Sequence, residues 1–366
     1  MLDMFTALPL LRGVLAGNRA RGPFLCPAPA GGTLQAPVID GTLFNSPAGL
    51  AAVLKGMDNL QALTVSGLGT IKIAWEYDGL NNPGQVKTPI KNGRLSGKIA
   101  LVTGGARGFG GGISRLLAKE GAFVFIADLD LDAAGELARE LNSEYGKTAA
   151  LALRVDVGDE GSVAALAREV VSLTGGLDMY ISNAGVLKAG GVREMTGKDF
   201  EFVTKINYTG YFYSVKHFSP ILAAQAAGNK NYYTDIIQIN SKSGLTGSNK
   251  NGAYAGGKFG GIGLTQSFAL ELVNDNIKVN SICPGNYFEG PLWSDPDKGL
   301  FKQYLESGKV SGAKTVEDVK QHYENLVPMK RGCYPEDVFR AILYCVEQKY
   351  ETGQAVPVTG GQVMLG

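Results

Sequence analysis

The sequence predicts an α/β fold: a doubly wound parallel sheet of about seven strands behind a small N-terminal extension. Two observations carry that expectation. From about residue 96 onward, β-branched apolar runs alternate with segments whose apolar residues fall three and four apart. The first of these runs passes through a glycine-rich turn straight into a helical pattern. Strands that read as continuous hydrophobic runs between helices are buried on both faces, as in a parallel sheet covered by two helical layers. Right-handed crossovers wind such a sheet in both directions and leave ligands at the carboxyl ends of its strands.

Residues 1–95 form the extension, with turn clusters at Pro27-Ala28-Pro29-Ala30-Gly31-Gly32 and Asn81-Asn82-Pro83-Gly84. Between them, Gln61–Val65 and Thr70–Trp75 read as short strands joined by Ser66-Gly67-Leu68-Gly69. No chemical motif lies there, and an appended domain or oligomer contact is the expected role. In residues 96–366 the strand-like runs are 98–103, 122–127, 148–157, 177–182, 234–240, 277–283 and 354–359. Asp132–Glu144 and Gly161–Leu173 have helical periodicity. Asn286 to about Arg331 breaks the rhythm with aromatic and charged residues, the pattern of a lid inserted after a strand's carboxyl end.

Composition narrows the classes. Of 366 residues, 45% are hydrophobic and 19% charged, enough apolar material for a well-cored globular protein. The net charge of +1 gives no sign of a nucleic-acid or acidic-membrane partner. Cys26, Cys283, Cys333 and Cys345 are scattered without a CxxC pair, which favours reduced thiols and a cytoplasmic setting over a disulfide framework or zinc site. The apolar run Met4–Leu15 follows Asp3 and contains Arg12, so neither a cleaved signal nor a membrane span is expected.

Thr103-Gly104-Gly105-Ala106-Arg107-Gly108-Phe109-Gly110 follows the first apolar run and precedes a helix. Glycines let the backbone turn tightly and approach a pyrophosphate, which the next helix's N–H groups then bind. Asp128 ends the second run, twenty residues after Gly108. A carboxylate there accepts hydrogen bonds from ribose hydroxyls and repels a 2′-phosphate, which predicts NAD over NADP. Arg107 is the counter-argument, since it lies in the turn where a 2′-phosphate would come. Asp130 is expected to be solvated and to cap the next helix, with competition for the role of Asp128 as the alternative. Asp156-Val157 and Asn183-Ala184-Gly185 end the third and fourth runs, where an adenine edge and the cofactor's middle would rest.

Tyr254 and Lys258 stand at i and i+4, on one face of a helix. A phenol titrates near ~10, and a neighbouring ammonium brings its phenolate into working range. Ser241, thirteen residues before Tyr254, follows the run Asp235–Asn240 and is placed to bind a substrate oxygen. Asn207 is an amide in the apolar stretch Phe202–Asn207, suited to anchoring a proton-relay water or to a satisfied core position.

These motifs in this order resemble the short-chain dehydrogenase/reductase family. The resemblance rests on TGxxxGxG (Thr103–Gly110), Asp156, the Asn183–Gly185 triplet, the Asn207–Ser241–Tyr254–Lys258 tetrad, and Pro284-Gly285 after the sixth run. It implies a Rossmann sheet and metal-free hydride transfer between a nicotinamide and a carbonyl/alcohol pair, in a homotetramer or homodimer. Cofactor contacts are implied at Thr103, Gly104, Arg107, Gly108, Phe109, Gly110, Asp128, Asp156, Val157, Asn183, Ala184, Gly185, Tyr254, Lys258, Pro284 and Gly285. Within the family, Ile236–Gly244, Lys258–Gly261, Pro328–Cys333 and Val358–Met364 are similar to the branch that interconverts sorbitol 6-phosphate and fructose 6-phosphate with NAD. A sugar or polyol phosphate needs cationic partners, for which Lys242, Lys330 and Arg331 are the candidates.

Two features depart from the family. It usually places a Thr after Pro-Gly to meet the nicotinamide amide, whereas Glu289-Gly290 precedes Pro291 here. The first 95 residues have no counterpart in a minimal member; some related domains follow a sugar-phosphate aldolase, and this segment is too short for a whole one, which leaves a remnant or a different accessory module. A dehydrogenase for an unphosphorylated polyol or aldose is the alternative enzyme. A cofactor-binding sensor is opposed by the intact tetrad, since a sensor has no need of a tuned phenol.

Overall fold

Helix α1 (Met4–Ala16), strands β1 (Phe24–Pro27) and β2 (Val38–Ile39), helix α2 (Pro47–Leu54) and strands β3 (Ala62–Val65) and β4 (Gly69–Ala74) make up the extension in this computed structural model. The structure describes residues 3–16, 22–28, 36–55, 57, 60–74, 93–146, 148–306, 308 and 310–364. The expected hairpin forms, with β3 antiparallel to β4 and the Thr64 and Thr70 hydroxyls 2.9 Å apart. Trp75, Pro29–Gly32 and the Asn81–Gly84 cluster lie outside the described residues. The four extension strands form their own sheet, in the order β1-β4-β3-β2.

The remaining strands are β5 (Ile99–Thr103), β6 (Phe123–Asp128), β7 (Ala150–Arg154), β8 (Met179–Ser182), β9 (Thr234–Ile239), β10 (Ile277–Pro284) and β11 (Ala355–Val358). All pair in parallel, in the order β11-β10-β9-β8-β5-β6-β7. This is the doubly wound sheet expected, and its order reverses between β5 and β8. Strand β7 is shorter than the run 148–157 because Asp156 turns the chain. Its Oδ1 accepts from Gly158 N at 2.8 Å, and its own N–H meets Ser162 Oγ at 3.0 Å.

Helices α3 (Gly108–Lys119), α4 (Leu131–Tyr145) and α5 (Glu160–Thr174) connect β5 to β8. Helices α6 (Gly197–Thr204) and α7 (Gly210–Gly228) flank a π-turn at Lys205–Thr209, and α8 (Gly252–Leu272) follows β9. The segment after β10 forms α9 (Pro291–Ser294), α10 (Leu300–Glu306) and α11 (Val316–Asn325) around an aromatic cluster of Phe288, Trp293 and Phe301. Helix α12 (Pro335–Glu347) then packs beside α3 and leads to β11. The β5 residues and most β6 residues are fully buried, which is why they read as unbroken apolar runs. Helix α1 lies on α7, and β1 on α5, so the extension continues one helical layer of the sheet. Among the described residues no helix is long and apolar enough to cross a membrane.

Candidate active site

A doubly wound sheet opens a crevice where its strand order reverses, at the carboxyl ends. Here that point lies between β5 and β8. Thr103 ends β5 and the glycine turn carries the chain into α3. Gly108 adopts φ +58°, a left-handed conformation that an L side chain resists. A Cβ on Gly110 would stand 2.0 Å from Gly104 O, so the turn closes this tightly only with glycine there. No side chain caps α3 at Arg107, which leaves its first N–H groups free for an anion.

The neighbouring strand ends are laced to this turn. Asn183 Nδ2 donates to Thr103 O and Gly104 O, each at 3.0 Å, while Thr103 Oγ1 accepts from Asn183 N at 3.1 Å and Ala184 N at 3.2 Å. Asp128 Oδ2 accepts from Ala106 N and Oδ1 from Asp130 N, both at 3.0 Å. Asp156 and buried Val157 sit at the end of β7, where Asp156 acts as a turn residue. Gly185 follows Ala184 into a loop that Asn207 holds, and Pro284-Gly285 closes β10, with Gly285 N donating to Val358 O at 2.9 Å. An uncapped helix N-terminus, a cradle with no room for side chains and a fixed carboxylate at the second strand's end together fit a dinucleotide.

At the other side of the crevice, Ser241 follows β9 and its Oγ accepts from Ser243 N at 3.1 Å. Tyr254 lies on the first turn of α8, and Lys258 one turn on, with Nζ 5.6 Å from the Tyr254 ring centroid. Lys258 is buried and donates to Ile239 O at 3.0 Å. Burial pushes its ammonium down to about 8. Burial likewise raises the Tyr254 phenol, against a lowering hydrogen bond with Ser241. Asn207, in the π-turn, uses both amide atoms on Val186: Oδ1 accepts from its N and Nδ2 donates to its O, each at 2.8 Å. Its side chain is thus a satisfied core amide that shapes the 183–186 loop. It shares the lining of a small cavity with Lys258.

Ser241 and Tyr254 open into a cavity of about 320 Å³. Trp293, Tyr304 and Tyr323 of the lid line one side, and Tyr287 reaches back to Phe109 of the glycine turn with ring centroids 5.0 Å apart. Lys242 and the run Ser248-Asn249-Lys250-Asn251 line the other. No carboxylate stands among the described residues of this lining. Lys242 is partly buried, and its Nζ donates to Gln362 Oε1 at 3.0 Å.

Two of the three expected phosphate cations point elsewhere. Lys330 occupies a left-handed turn (φ +56°) and donates to Asn325 O at 2.8 Å, covering the end of α11. Arg331 binds both oxygens of Asp337, at 2.6 and 3.0 Å, because Asp337 heads α12 directly across from it. Neither lines the cavity that holds Ser241 and Tyr254. Sequence reasoning missed Lys250 and its polar neighbours, although a run of Ser, Asn, Lys and Asn just before the Tyr254 helix was a readable signal.

The profile of one family, described as short chain dehydrogenase, matches residues 98–292. Sorbitol-6-phosphate 2-dehydrogenase of Escherichia coli K12 is 38% identical over 270 residues, covering 73% of this chain and 99% of that protein. Galactitol 2-dehydrogenase of Agrobacterium fabrum is 33% identical over 273 residues, covering 74% and 99%. Among solved structures, sorbitol-6-phosphate 2-dehydrogenase from Erwinia amylovora superposes with a TM-score of 0.66 at 40% identity, over 73% of this chain and 100% of that one. An NADP complex of RhlG from Pseudomonas aeruginosa gives 0.63 at 27% identity, over 75% and 99%.

Proposed function

The chain belongs to the short-chain dehydrogenase family, and we propose that it interconverts sorbitol 6-phosphate and fructose 6-phosphate with NAD. The observation that carries the substrate is the cavity beside Ser241 and Tyr254, which presents Lys242 and Lys250 and no carboxylate among its described residues. A partly buried ammonium whose described partner is an amide oxygen is left to be satisfied by an anionic ligand. Asp128, fixed at the end of β6, supports NAD.

The nicotinamide, when bound, supplies the acceptor or donor of hydride. Tyr254 takes the C2 hydroxyl proton in the oxidising direction and returns it in the reducing one. Ser241 holds the same oxygen and steadies its developing charge. Lys258 keeps a positive charge one helical turn from the phenol, favouring its ionised form. Asn207 keeps the 183–186 loop in place beside them. Lys242, with Lys250, holds the phosphate, while the aromatic lid excludes water. We also read the enzyme as a homo-oligomer, supported by Phe259 and Leu270 standing 47% and 80% exposed on α8.

Oxidation of NADH with fructose 6-phosphate and fructose side by side tests the reading. A charge-assisted phosphate contact predicts about a 10- to 100-fold higher kcat/KM for the phosphorylated ketose. Lys242→Met should raise KM for fructose 6-phosphate about tenfold and leave fructose unchanged. Equal rates on both sugars would replace the substrate with a neutral polyol while leaving the tetrad's role intact.

A further inference from the structure

Arg107 is the residue in the glycine turn best placed to welcome a 2′-phosphate, and the structure shows what occupies it. Its Nη2 donates to Asp130 Oδ2 at 2.7 Å. The other oxygen of Asp130 accepts from Ala133 N at 3.0 Å and so caps α4. The Asp130 N–H donates to Asp128 Oδ1, and Asp128 Oδ2 accepts from Ala106 N. Consecutive residues of the glycine turn, Ala106 and Arg107, are therefore tied to Asp128 and Asp130. The two carboxylates share one small rim of the crevice.

We propose that Asp130 is a second determinant of cofactor choice, acting as a latch on Arg107. Asp128 repels a 2′-phosphate directly. Asp130 withholds the one cation in the turn that would attract it. Because the cap on α4 anchors Asp130, the latch has a defined position rather than that of a free surface side chain. The pair is also largely solvated, with side chains 67% and 43% exposed, so its grip is modest and reversible. The expected discrimination is graded. Asp130 contributes about fivefold against a 2′-phosphate, with Asp128 carrying the rest.

This proposal rests on the cofactor reading above, and its test separates the two. Asp130→Asn removes the charge while keeping a good helix cap, so the fold is retained. Affinities for NADH and NADPH are measured by fluorescence quenching, and those for 5′-AMP and 2′-AMP by calorimetry, in the absence of substrate. Asp130→Asn should tighten NADPH and 2′-AMP about fivefold and change NADH and 5′-AMP by less than twofold. In an Arg107→Ala background the same substitution should give no gain. Unchanged NADPH and 2′-AMP affinity in Asp130→Asn would overturn the latch. So would an equal gain without Arg107, which would reduce Asp130 to a diffuse negative charge. A wild-type protein that prefers NADPH would instead sink the NAD reading, and the shift caused by Asp130→Asn would still decide the latch.

Discussion

Lys258 is buried and Tyr254 half-buried beside it, and loss of water acts on them in opposite directions. It raises the phenol and pushes the ammonium down to about 8, so desolvation alone favours a neutral pair. The proton transfer proposed for Tyr254 needs a phenolate beside a cation, a state that a bound, positively charged nicotinamide would favour. Lys258→Met removes the nearer positive charge and so raises the phenol's pKa. For polyol oxidation, where activity rises as the phenolate forms, the limb of the kcat/KM profile must move toward alkaline pH, with a loss of at least about tenfold near neutrality. A limb that stays in place would show that Lys258 only holds the cofactor. Tyr254→Phe should abolish turnover, about 10²-fold or more, while leaving the dissociation constant for NADH within a few-fold. Retained turnover would move the proton transfer to another group.

At the scale of elements, the sheet separates chemistry from anchoring. Its carboxyl ends hold the site, and its opposite ends hold buried charges. Lys278 at the start of β10 pairs with Asp235 at the start of β9 at 2.9 Å, with both side chains 4% exposed. The same ammonium donates to Cys345 O, and to Val346 O and Gln348 O at 3.2 and 3.0 Å, closing the C-terminus of α12. Lys278→Met leaves Asp235 buried and unpaired, so stability should fall by about 3–5 kcal/mol. Adding Asp235→Asn should restore much of it, and NADH affinity should change in neither variant. A single variant with unaltered urea midpoint would show that water reaches Asp235. This polarity also explains what was legible beforehand. The strands and helices were readable because burial on both faces writes apolar runs, and the approach of Ser241 to Tyr254 and Lys258 because a strand end and helical spacing set it. The partners of Lys330 and Arg331 were not legible, because a basic residue in sequence does not disclose what it binds. Asn325 O and Asp337 are brought to them only by the ends of α11 and α12. Lys250 lines the crevice and Gln362 reaches Lys242 through loops, where periodicity carries no signal.

Over the whole molecule, the extension is joined to the dehydrogenase fold by packing and by buried charge. Its apolar residues share one continuous core with the main sheet: Leu8, Leu11 and Leu25 are fully buried in the same cluster as Phe218 and Leu222 of α7. Helices α1 and α7 approach so closely that a Cβ on Gly13 would stand 2.0 Å from Gln225 O. Beside that contact Arg12, wholly buried, donates to Asp178 Oδ2 at 2.9 Å, to the Tyr232 hydroxyl at 2.9 Å and to Pro23 O at 3.0 Å. Asp178 in turn accepts from Ile99 N at 2.7 Å, so the network joins α1 to the first strand of the parallel sheet. Burial would raise the Asp178 carboxyl, but the charges of Arg12 and Lys98, with hydrogen bonds from Arg12 and Tyr232, hold it below the usual carboxylate range. A lowered carboxyl stabilises the fold at every pH above its unfolded value near ~4, and that contribution disappears as pH falls through the lower folded value. Arg12→Met should therefore cost about 3–5 kcal/mol at pH 7, because it strands Asp178 without its principal partner. The deficit relative to wild type should shrink as pH falls, because the stranded Asp178 takes up a proton in the variant at a higher pH than it does in the wild type. Urea unfolding followed at both pH values reads this directly. One transition that shifts as a whole would mean that extension and dehydrogenase fold unfold as a single unit. Loss of the extension in a separate early transition would instead make it an appendage, with the Arg12 network stabilising the contact and not the sheet.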